Sequence, residues 1–197
     1  MNNFKVVDFR FASKDDAYEE RFVLPNMWSR PYEYKYVYDF INGVKHKDLS
    51  VPKIHNSSWG FEGVHVTFRD MLDEIGECVH SDIVESKFRD TFYYDITTEN
   101  KDFENKFDFV VNVSTIEHIP NKEDRIKAIE SLFKQVKVNG YLILTFDYPR
   151  VNLDEIQKLI NYECESVKNK LNGNNSIVEN KTYDGLNIVY LIIKKTK

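Results

Sequence analysis

The chain has 197 residues, enough for one domain with a substantial hydrophobic core. Its net charge of -5 argues against a dedicated nucleic-acid-binding protein, since such proteins usually carry a basic surface. Two cysteines, Cys78 and Cys164, are too few for a disulfide framework, and no secretory leader opens the sequence, so we expect a cytoplasmic protein. The longest apolar run, 188–193, is far shorter than the roughly 20 residues that a membrane span requires.

The first predicted elements are an irregular arm and a helix. Residues 1–25 mix charged and aromatic side chains without a sustained period, which favours an arm over a regular element. After Pro31, apolar side chains recur at helical spacing, and Asn42-Gly43 supplies a stop signal near the end of this helix. The apolar face of the helix consists of Tyr34, Val37, Tyr38 and Ile41.

A strand, a second helix and a second strand are predicted next. Residues 51–58 form a short strand that runs into a polar loop. Thr67 and Asp70 make a capping-box pattern, which predicts the start of a helix, and Gly76 closes it. The following strand ends on Asp82.

The second half of the chain is dominated by one strong strand, 106–114, which has almost no polar alternation. Such a run is typical of a strand that is covered on both faces in a parallel sheet. It is preceded by a weaker strand that ends on Asp95, and it is followed by a helix that begins at Asn121. The later elements are a strand after Asn139-Gly140, a helix and two closing strands, at 141–148, 152–171, 175–183 and 187–195.

Strands that alternate with helices indicate βαβ units. We therefore predict an α/β fold, a Rossmann-like doubly wound sheet of about seven strands. The sheet is mostly parallel and closes with a C-terminal antiparallel hairpin, because Asp184-Gly185 favours a tight turn. The sequence indicates a single domain over 1–197, with an N-terminal arm and helix in 1–50 and the α/β core in 51–197.

In such a sheet, ligands bind outside the carboxyl ends of the strands. Asp82 lies about 20 residues after Gly60 and Gly63, the separation at which an acid at a strand end reaches the ribose hydroxyls of a bound nucleoside. Asp95 is predicted to accept from the exocyclic amine of an adenine, and the backbone N–H of Ile96 to donate to one of its ring nitrogens. The alternative for both acids is that they only cap the turns that follow their strands.

The segment "FDFVVNVSTIEHIPNKEDRIKAIESLFKQVKVNGYLILTFDYP", residues 107–149, resembles the fourth strand, following helix and fifth strand of class I S-adenosylmethionine-dependent methyltransferases of the small-molecule branch. "SDI", "YYDIT" and "WSRPYEY" resemble earlier parts of the same family. The resemblance implies S-adenosylmethionine as cofactor and O-methylation of a small polar acceptor, such as a sugar, nucleotide sugar or glycan precursor. From the acidic net charge and the short apolar runs we expect no nucleic-acid partner and no membrane span.

The resemblance also implies the position of the cofactor. Ser114 and Thr115 would lie beside it, and the loop after the first core strand would hold its amino-acid end. In the family this loop follows an acid and is rich in glycine, whereas this chain has His55 and few glycines there. The loop residues concerned are Asn56, Ser57, Ser58, Gly60 and Gly63. The alternative is therefore a catalytically degenerate methyltransferase-like protein that acts in binding or as a scaffold.

Glu117 and His118 follow the strongest strand and are the candidate catalytic residues. His118 would act as general base if it faces the acceptor, and the alternative is that the pair organises its loop.

In the family, aromatic residues before the sheet close over the cofactor. This role would fall to Trp28, Tyr32 or Tyr34, although plain packing also explains them. We expect no metal, because the histidines lack the spacing of a zinc site.

Overall fold

A single seven-stranded sheet organises the protein in the computed structural model, which describes residues 3–12, 16, 29–48, 51–58, 66–84, 90–162 and 187–197. The strands are β1 Phe4–Phe11, β2 Lys53–Ser57, β3 Glu77–Asp82, β4 Phe92–Tyr93, β5 Phe107–Val113, β6 Val136–Tyr148 and β7 Asn187–Lys195. The α-helices are α1 Arg30–Asp48, α2 Val66–Ile75, α3 Lys122–Gln135 and α4 Leu153–Ile160, with short 3₁₀ helices at Lys101–Phe103 and Ile116–His118. No helix among these residues has the length and apolarity needed to cross a membrane.

The strand order is β1-β7-β6-β5-β2-β3-β4. β2 pairs in parallel with β3 and β5, and the pairs β3-β4 and β5-β6 are also parallel, whereas β7 is antiparallel to both β6 and β1. The predicted Rossmann-like sheet with an antiparallel close is confirmed. The first strand of the predicted hairpin, 175–183, lies outside the described residues.

Two apolar cores lie on opposite faces of this sheet. Buried side chains under α3 and α4 form one, and those under α1 and α2 form the other. Along β5, Phe107 and Val110 belong to the first core, whereas Phe109 and Val111 belong to the second. The prediction that this strand is covered on both faces is confirmed.

The N-terminal arm is where the sequence interpretation was wrong, because residues 4–11 form the edge strand β1. Its register against β7 shifts between Val6 and Asp8, so that Val7 is an extra residue on the strand. Such a bulge moves the alternation of apolar and polar side chains by one position. The period of two is therefore broken in the middle of the strand, and the pattern does not show in the sequence.

The ends of several helices also differ from the predicted ends. α1 continues through Asn42-Gly43 to Asp48, and α2 begins at Val66, so Thr67 lies inside the helix and cannot be its cap. α4 ends at Ile160 because Asn161 adopts a left-handed conformation, with φ 44° and ψ 46°, and donates to two carbonyls of the last turn. The rest of the helix predicted to reach residue 171 lies outside the described residues from 163 onward.

Two predicted strand boundaries also shift. The strand predicted to end on Asp95 is reduced to Phe92–Tyr93. β6 begins at Val136, directly after α3, so that Asn139-Gly140 lies within the strand, where its register against β5 is irregular. The cap of α3 is as predicted, since the Asn121 side chain accepts from the backbone N–H of Asp124 at 2.7 Å.

Two glycines provide a matched test of packing. A Cβ on Gly140 would lie 2.7 Å from the carbonyl oxygen of Asp108, which is backbone and cannot move aside, whereas a Cβ on Gly43 would have no atom within 4 Å. We expect Gly140→Ala to lower the free energy of unfolding by about 1–3 kcal/mol. Gly43→Ala, inside a helix, should raise it by about 0.5–1 kcal/mol. Urea denaturation of both variants measures this, and equal effects would contradict it.

Candidate functional site

A cavity of about 610 Å³ opens at the carboxyl ends of β2, β3 and β5. This is the point where the chain order reverses, because β3 and β4 extend the sheet on one side of β2 while β5 and β6 extend it on the other. Eight of the residues selected from the sequence line the cavity: Asn56, Ser58, Asp82, Asp95, Ile96, Ser114, Thr115 and His118. The topology thus brings together residues that are up to 62 positions apart, from Asn56 to His118.

The remaining candidate cofactor-binding and catalytic residues either do not line the cavity or lie outside the described residues. The hydroxyl of Ser57 is buried, donates to the carbonyl of Val111 at 2.8 Å and accepts from the Asn112 side chain at 3.1 Å, so it joins β2 to β5. Glu117 is buried and does not line the cavity. Gly60 and Gly63 lie outside the described residues.

Two serines at the cavity adopt left-handed backbone conformations. Ser58 has φ 58° and Ser114 has φ 42°, a region that L-residues other than glycine rarely adopt. Each is fixed by its own backbone N–H, which donates to Ser81 O at 2.7 Å for Ser58 and to Thr145 O at 2.9 Å for Ser114. Strained residues of this kind concentrate at functional sites. The chain therefore makes, with serine, turns that glycine would make at lower cost.

The two acids predicted to hold a nucleoside each border the cavity and each cap a turn. Asp82 is buried at the end of β3, and its Oδ1 accepts from the backbone N–H of Val84 at 3.0 Å. Asp95 Oδ1 accepts from both the backbone N–H and the hydroxyl of Thr97, at 2.9 and 2.7 Å. Both carboxylates therefore cap the turns that follow them, as the alternative interpretation expected. Capping does not compete with a binding role, because a carboxylate has acceptor sites on both oxygens.

Sequence reasoning missed Glu33, which is completely buried in the first turn of α1. Its Oε1 accepts from the hydroxyls of Ser114 at 2.6 Å and Thr145 at 2.5 Å, and its Oε2 accepts from Arg30 at 2.7 Å. Burial acts to raise the pKa of Glu33, but Arg30 and the hydroxyl donors together hold it below its ordinary value. Ser114 is 81 positions from Glu33 and Thr145 is 112 positions away, so no local pattern indicates these contacts.

Glu117 and Asp147 form a second buried acidic group near Arg30. Among the residues that the structure describes, neither carboxylate oxygen of Glu117 has a hydrogen-bond partner, and Asp147 Oδ1 also has none. Burial, together with the negative charge of Asp147, raises the pKa of Glu117 to about 8. Burial and the charge of Glu33 raise the pKa of Asp147 to about 7. At neutral pH Glu117 is therefore mostly protonated and is a poor base.

The histidines have different environments. His118 lines the cavity, and partial burial together with Arg150 and Arg30 lowers its pKa, so that its imidazole is neutral at pH 7. His55, where the methyltransferase resemblance expects an acid, is buried away from the cavity. Its ring nitrogens contact Gln135 Oε1 at 2.6 Å and Ser81 Oγ at 2.8 Å. Burial lowers the pKa of His55 to about 4, so it is a neutral core residue.

The aromatic residues of α1 are divided between the cavity and the core. Tyr34 lines the cavity and stacks on Phe68, with the ring centroids 4.1 Å apart, so packing accounts for its position and its closing over a cofactor stays a prediction. Tyr32 packs instead against a small cluster that contains Tyr190. Trp28 lies outside the described residues.

Solved structures of methyltransferases share this fold. The N-methyltransferase NodS from Bradyrhizobium japonicum WM9, in complex with S-adenosyl-L-homocysteine, matches with a TM-score of 0.52 and 11% identity over 90% of this chain and 96% of its own. The 1,6-didemethyltoxoflavin-N1-methyltransferase from Burkholderia thailandensis matches with a TM-score of 0.53 and 11% identity over 87% and 82%. The CurJ carbon methyltransferase matches with a TM-score of 0.55 and 12% identity over 84% of this chain and 55% of its own.

No protein-family model and no curated protein matches the sequence. At 11–12% identity the solved structures establish the fold alone. The chain has the Rossmann-like α/β fold of class I S-adenosylmethionine-dependent methyltransferases, as the resemblance in residues 107–149 implied.

The buried ion pair can be tested against an exposed one on the same helix. Glu33→Ala would leave the partly buried Arg30 and the hydroxyls of Ser114 and Thr145 without their shared carboxylate, and we expect it to lower the free energy of unfolding by about 3–5 kcal/mol. Asp39→Ala removes the exposed pair with Lys35 and should cost no more than about 0.5 kcal/mol. Urea denaturation compares the two, and similar small losses would show that Glu33 does not have the structural role described.

The raised pKa of Glu117 predicts a dependence of stability on pH. The ordinary value is 4.5 and the folded value is about 8, so the folded state retains a proton that the unfolded state has lost. Stability therefore falls as pH rises through this window, by up to about 1.4 kcal/mol per pH unit, and Glu117→Gln removes the loss. The variant should match the parent near pH 4.5 and exceed it increasingly up to pH 8.

Thermal or urea unfolding between pH 4.5 and 9 measures this difference. Glu77→Gln, at an exposed glutamate at the start of β3, is the control and should leave the pH profile unchanged. A constant difference between Glu117→Gln and the parent across the window would contradict the raised pKa.

Proposed function

We propose that this protein is an S-adenosylmethionine-dependent methyltransferase that methylates a hydroxyl of a small polar acceptor, such as a sugar, nucleotide sugar or glycan precursor. The observation that carries the proposal is the cavity at the switch point of the sheet, which is bordered by Asp82, Asp95 and the two left-handed serines. When bound, S-adenosylmethionine supplies a methyl group activated on a sulfonium sulfur. The low number of cysteines supports a reducing compartment such as the cytoplasm.

The chemistry of the lining fits a nucleoside at one end of the cavity. Asp82 would accept from the ribose hydroxyls, while Asp95 and the backbone N–H of Ile96 would hold the adenine. Ile83 and Val84 line the same end, although their side chains are 60% and 62% exposed. Exposed apolar side chains beside a cavity gain from being covered, and the flat face of an adenine would cover them.

The amino-acid end of the cofactor is assigned to the other side of the cavity. Asn56 lies near the end of β2 and Ser58 directly follows it, while Ser114 and Thr115 follow the neighbouring strand β5. Gly60 and Gly63 remain a prediction from the sequence. Small side chains with hydroxyl and amide groups can donate to a carboxylate and accept from an ammonium group, which suits both ends of an amino acid.

The acceptor would meet the methyl group near His118. A hydroxyl that gains a methyl group must lose its proton, and the neutral imidazole of His118 is the cavity-lining group suited to accept it. Glu117 would act through its position, by holding the 3₁₀ helix that presents His118. Aligning the acceptor oxygen with the methyl group would supply much of the rate.

The first test is isothermal titration with S-adenosylhomocysteine, which needs no acceptor. We expect Asp82→Ala to weaken binding at least about tenfold, because a hydrogen bond to a charged group contributes about 1.5–3 kcal/mol. Asp102→Ala, at an exposed carboxylate outside the lining, is the control and should bind like the parent.

The outcomes separate the two interpretations of the sequence. Unchanged affinity in Asp82→Ala would remove the ribose assignment. Failure of the parent to bind at millimolar ligand would favour the degenerate binding or scaffold protein. If the parent binds, an acceptor screen follows, with sugars and nucleotide sugars first and with their amino analogues included, because NodS and the toxoflavin enzyme are N-methyltransferases.

A further inference from the structure

We infer that Asp73, Cys78 and His80 form a binding site for a divalent transition metal such as Zn²⁺. Each residue offers one ligand atom, a carboxylate oxygen, a thiol sulfur and an imidazole nitrogen, and these atoms all lie within 4.8 Å of one another. Nitrogen, sulfur and oxygen donors of these types are the usual ligands of zinc in proteins. None of the three residues lines the cavity described above, and the inference does not depend on the proposed function.

The fold produces this cluster from residues that show no metal-binding motif. Cys78 and His80 are two positions apart on β3, so their side chains point to the same face of the sheet. Asp73 reaches that face from the last turn of α2, which packs against β3. The expectation of no metal rested on the spacing of histidines along the chain. That criterion does not detect one ligand from a helix and two from a strand.

The hydrogen bonds around the cluster already orient its ligand atoms. His80 Nε2 lies 2.9 Å from Asp73 Oδ1, while His80 Nδ1 lies 3.2 Å from the side-chain amide of Asn56. The second oxygen of Asp73, Oδ2, is 3.8 Å from Arg69 Nε. Metal sites typically have such outer partners on the far nitrogen of the histidine and the far oxygen of the carboxylate. A rotation of the Asn56 amide would present its oxygen to a proton on Nδ1.

The charges of the cluster balance when a divalent ion binds. Asp73 contributes one negative charge, and the Cys78 thiol contributes a second when it loses its proton to solvent, so the two cancel the charge of the metal. Coordination to a metal ion deprotonates a thiol outright. One proton leaves for each ion bound, and no oxidation or reduction occurs. Binding should therefore weaken as pH falls.

The cluster is accessible to an ion from solvent, and a bound ion would connect two elements of the fold. The side chain of Asp73 is 44% exposed, so the cluster is open to solvent on one side, while His80 is buried on the other. A bound ion would join α2 to β3, two residues before Asp82. It would also fix His80 against Asn56, which lines the cavity.

Cobalt titration of the chelator-treated protein tests the site, because Co²⁺ bound to a thiolate gives a charge-transfer band in the near ultraviolet. We expect this band in the parent and in Cys164→Ser, and its loss in Cys78→Ser together with at least tenfold weaker binding. Asp73→Asn should weaken binding at least tenfold and keep the band. Cys164→Ser is the matched control because Cys78 and Cys164 are the two cysteines of the chain.

A second measurement on the parent protein covers the case in which Cys78→Ser does not fold. Zn²⁺ should slow the alkylation of Cys78 by iodoacetamide at least tenfold, with the modified peptide identified by mass spectrometry, and should leave Cys164 unchanged. No thiolate band in the parent, a band that depends on Cys164 instead of Cys78, or equal alkylation of Cys78 with and without Zn²⁺ would each overturn the inference.

Discussion

The buried carboxylate of Glu33 is the interaction on which the arrangement of the candidate site depends. It joins the first turn of α1 to the ends of β5 and β6, through the hydroxyls of Ser114 and Thr145. A buried charge is costly unless it is paired and hydrogen-bonded, and the contacts with Arg30 and the two hydroxyls meet this condition. The same contacts fix where α1 begins, so they place Arg30 and Tyr34 at the cavity.

The topology of the sheet explains why strained backbone occurs at this edge. β2 and β5 are neighbours, and the chain leaves their carboxyl ends in opposite directions, toward β3 on one side and β6 on the other. Ser58 and Ser114 lie at those two ends and adopt positive φ values. The backbone N–H groups of the two serines donate to Ser81 on β3 and to Thr145 on β6, and these hydrogen bonds help to compensate for the cost of the strained backbone. Serine at these two positions is thus compatible with the turns that follow β2 and β5.

Features that depend on local pattern could be predicted from the sequence, whereas features that depend on distant contacts could not. The parallel sheet and the edge that carries the cavity are indicated by the apolar run of β5, by Asp82 at the end of β3 and by Asp95, two residues after β4. The strand β1 could not be identified, because its bulge interrupts the alternation. Glu33 resembles any acid in the first turn of a helix, and only its distant hydroxyl partners distinguish it. The cluster around His80 likewise depends on the packing of α2 against β3.

The distribution of charge around the cavity is consistent with the proposed chemistry. Two carboxylates, Asp82 and Asp95, border the end assigned to the nucleoside, whereas His118, at the end assigned to the acceptor, is neutral. The two acids would attract a cationic methyl donor, and the attraction would weaken once transfer had removed the donor's charge. The same acids that favour binding of the donor would therefore hold the neutral product less strongly.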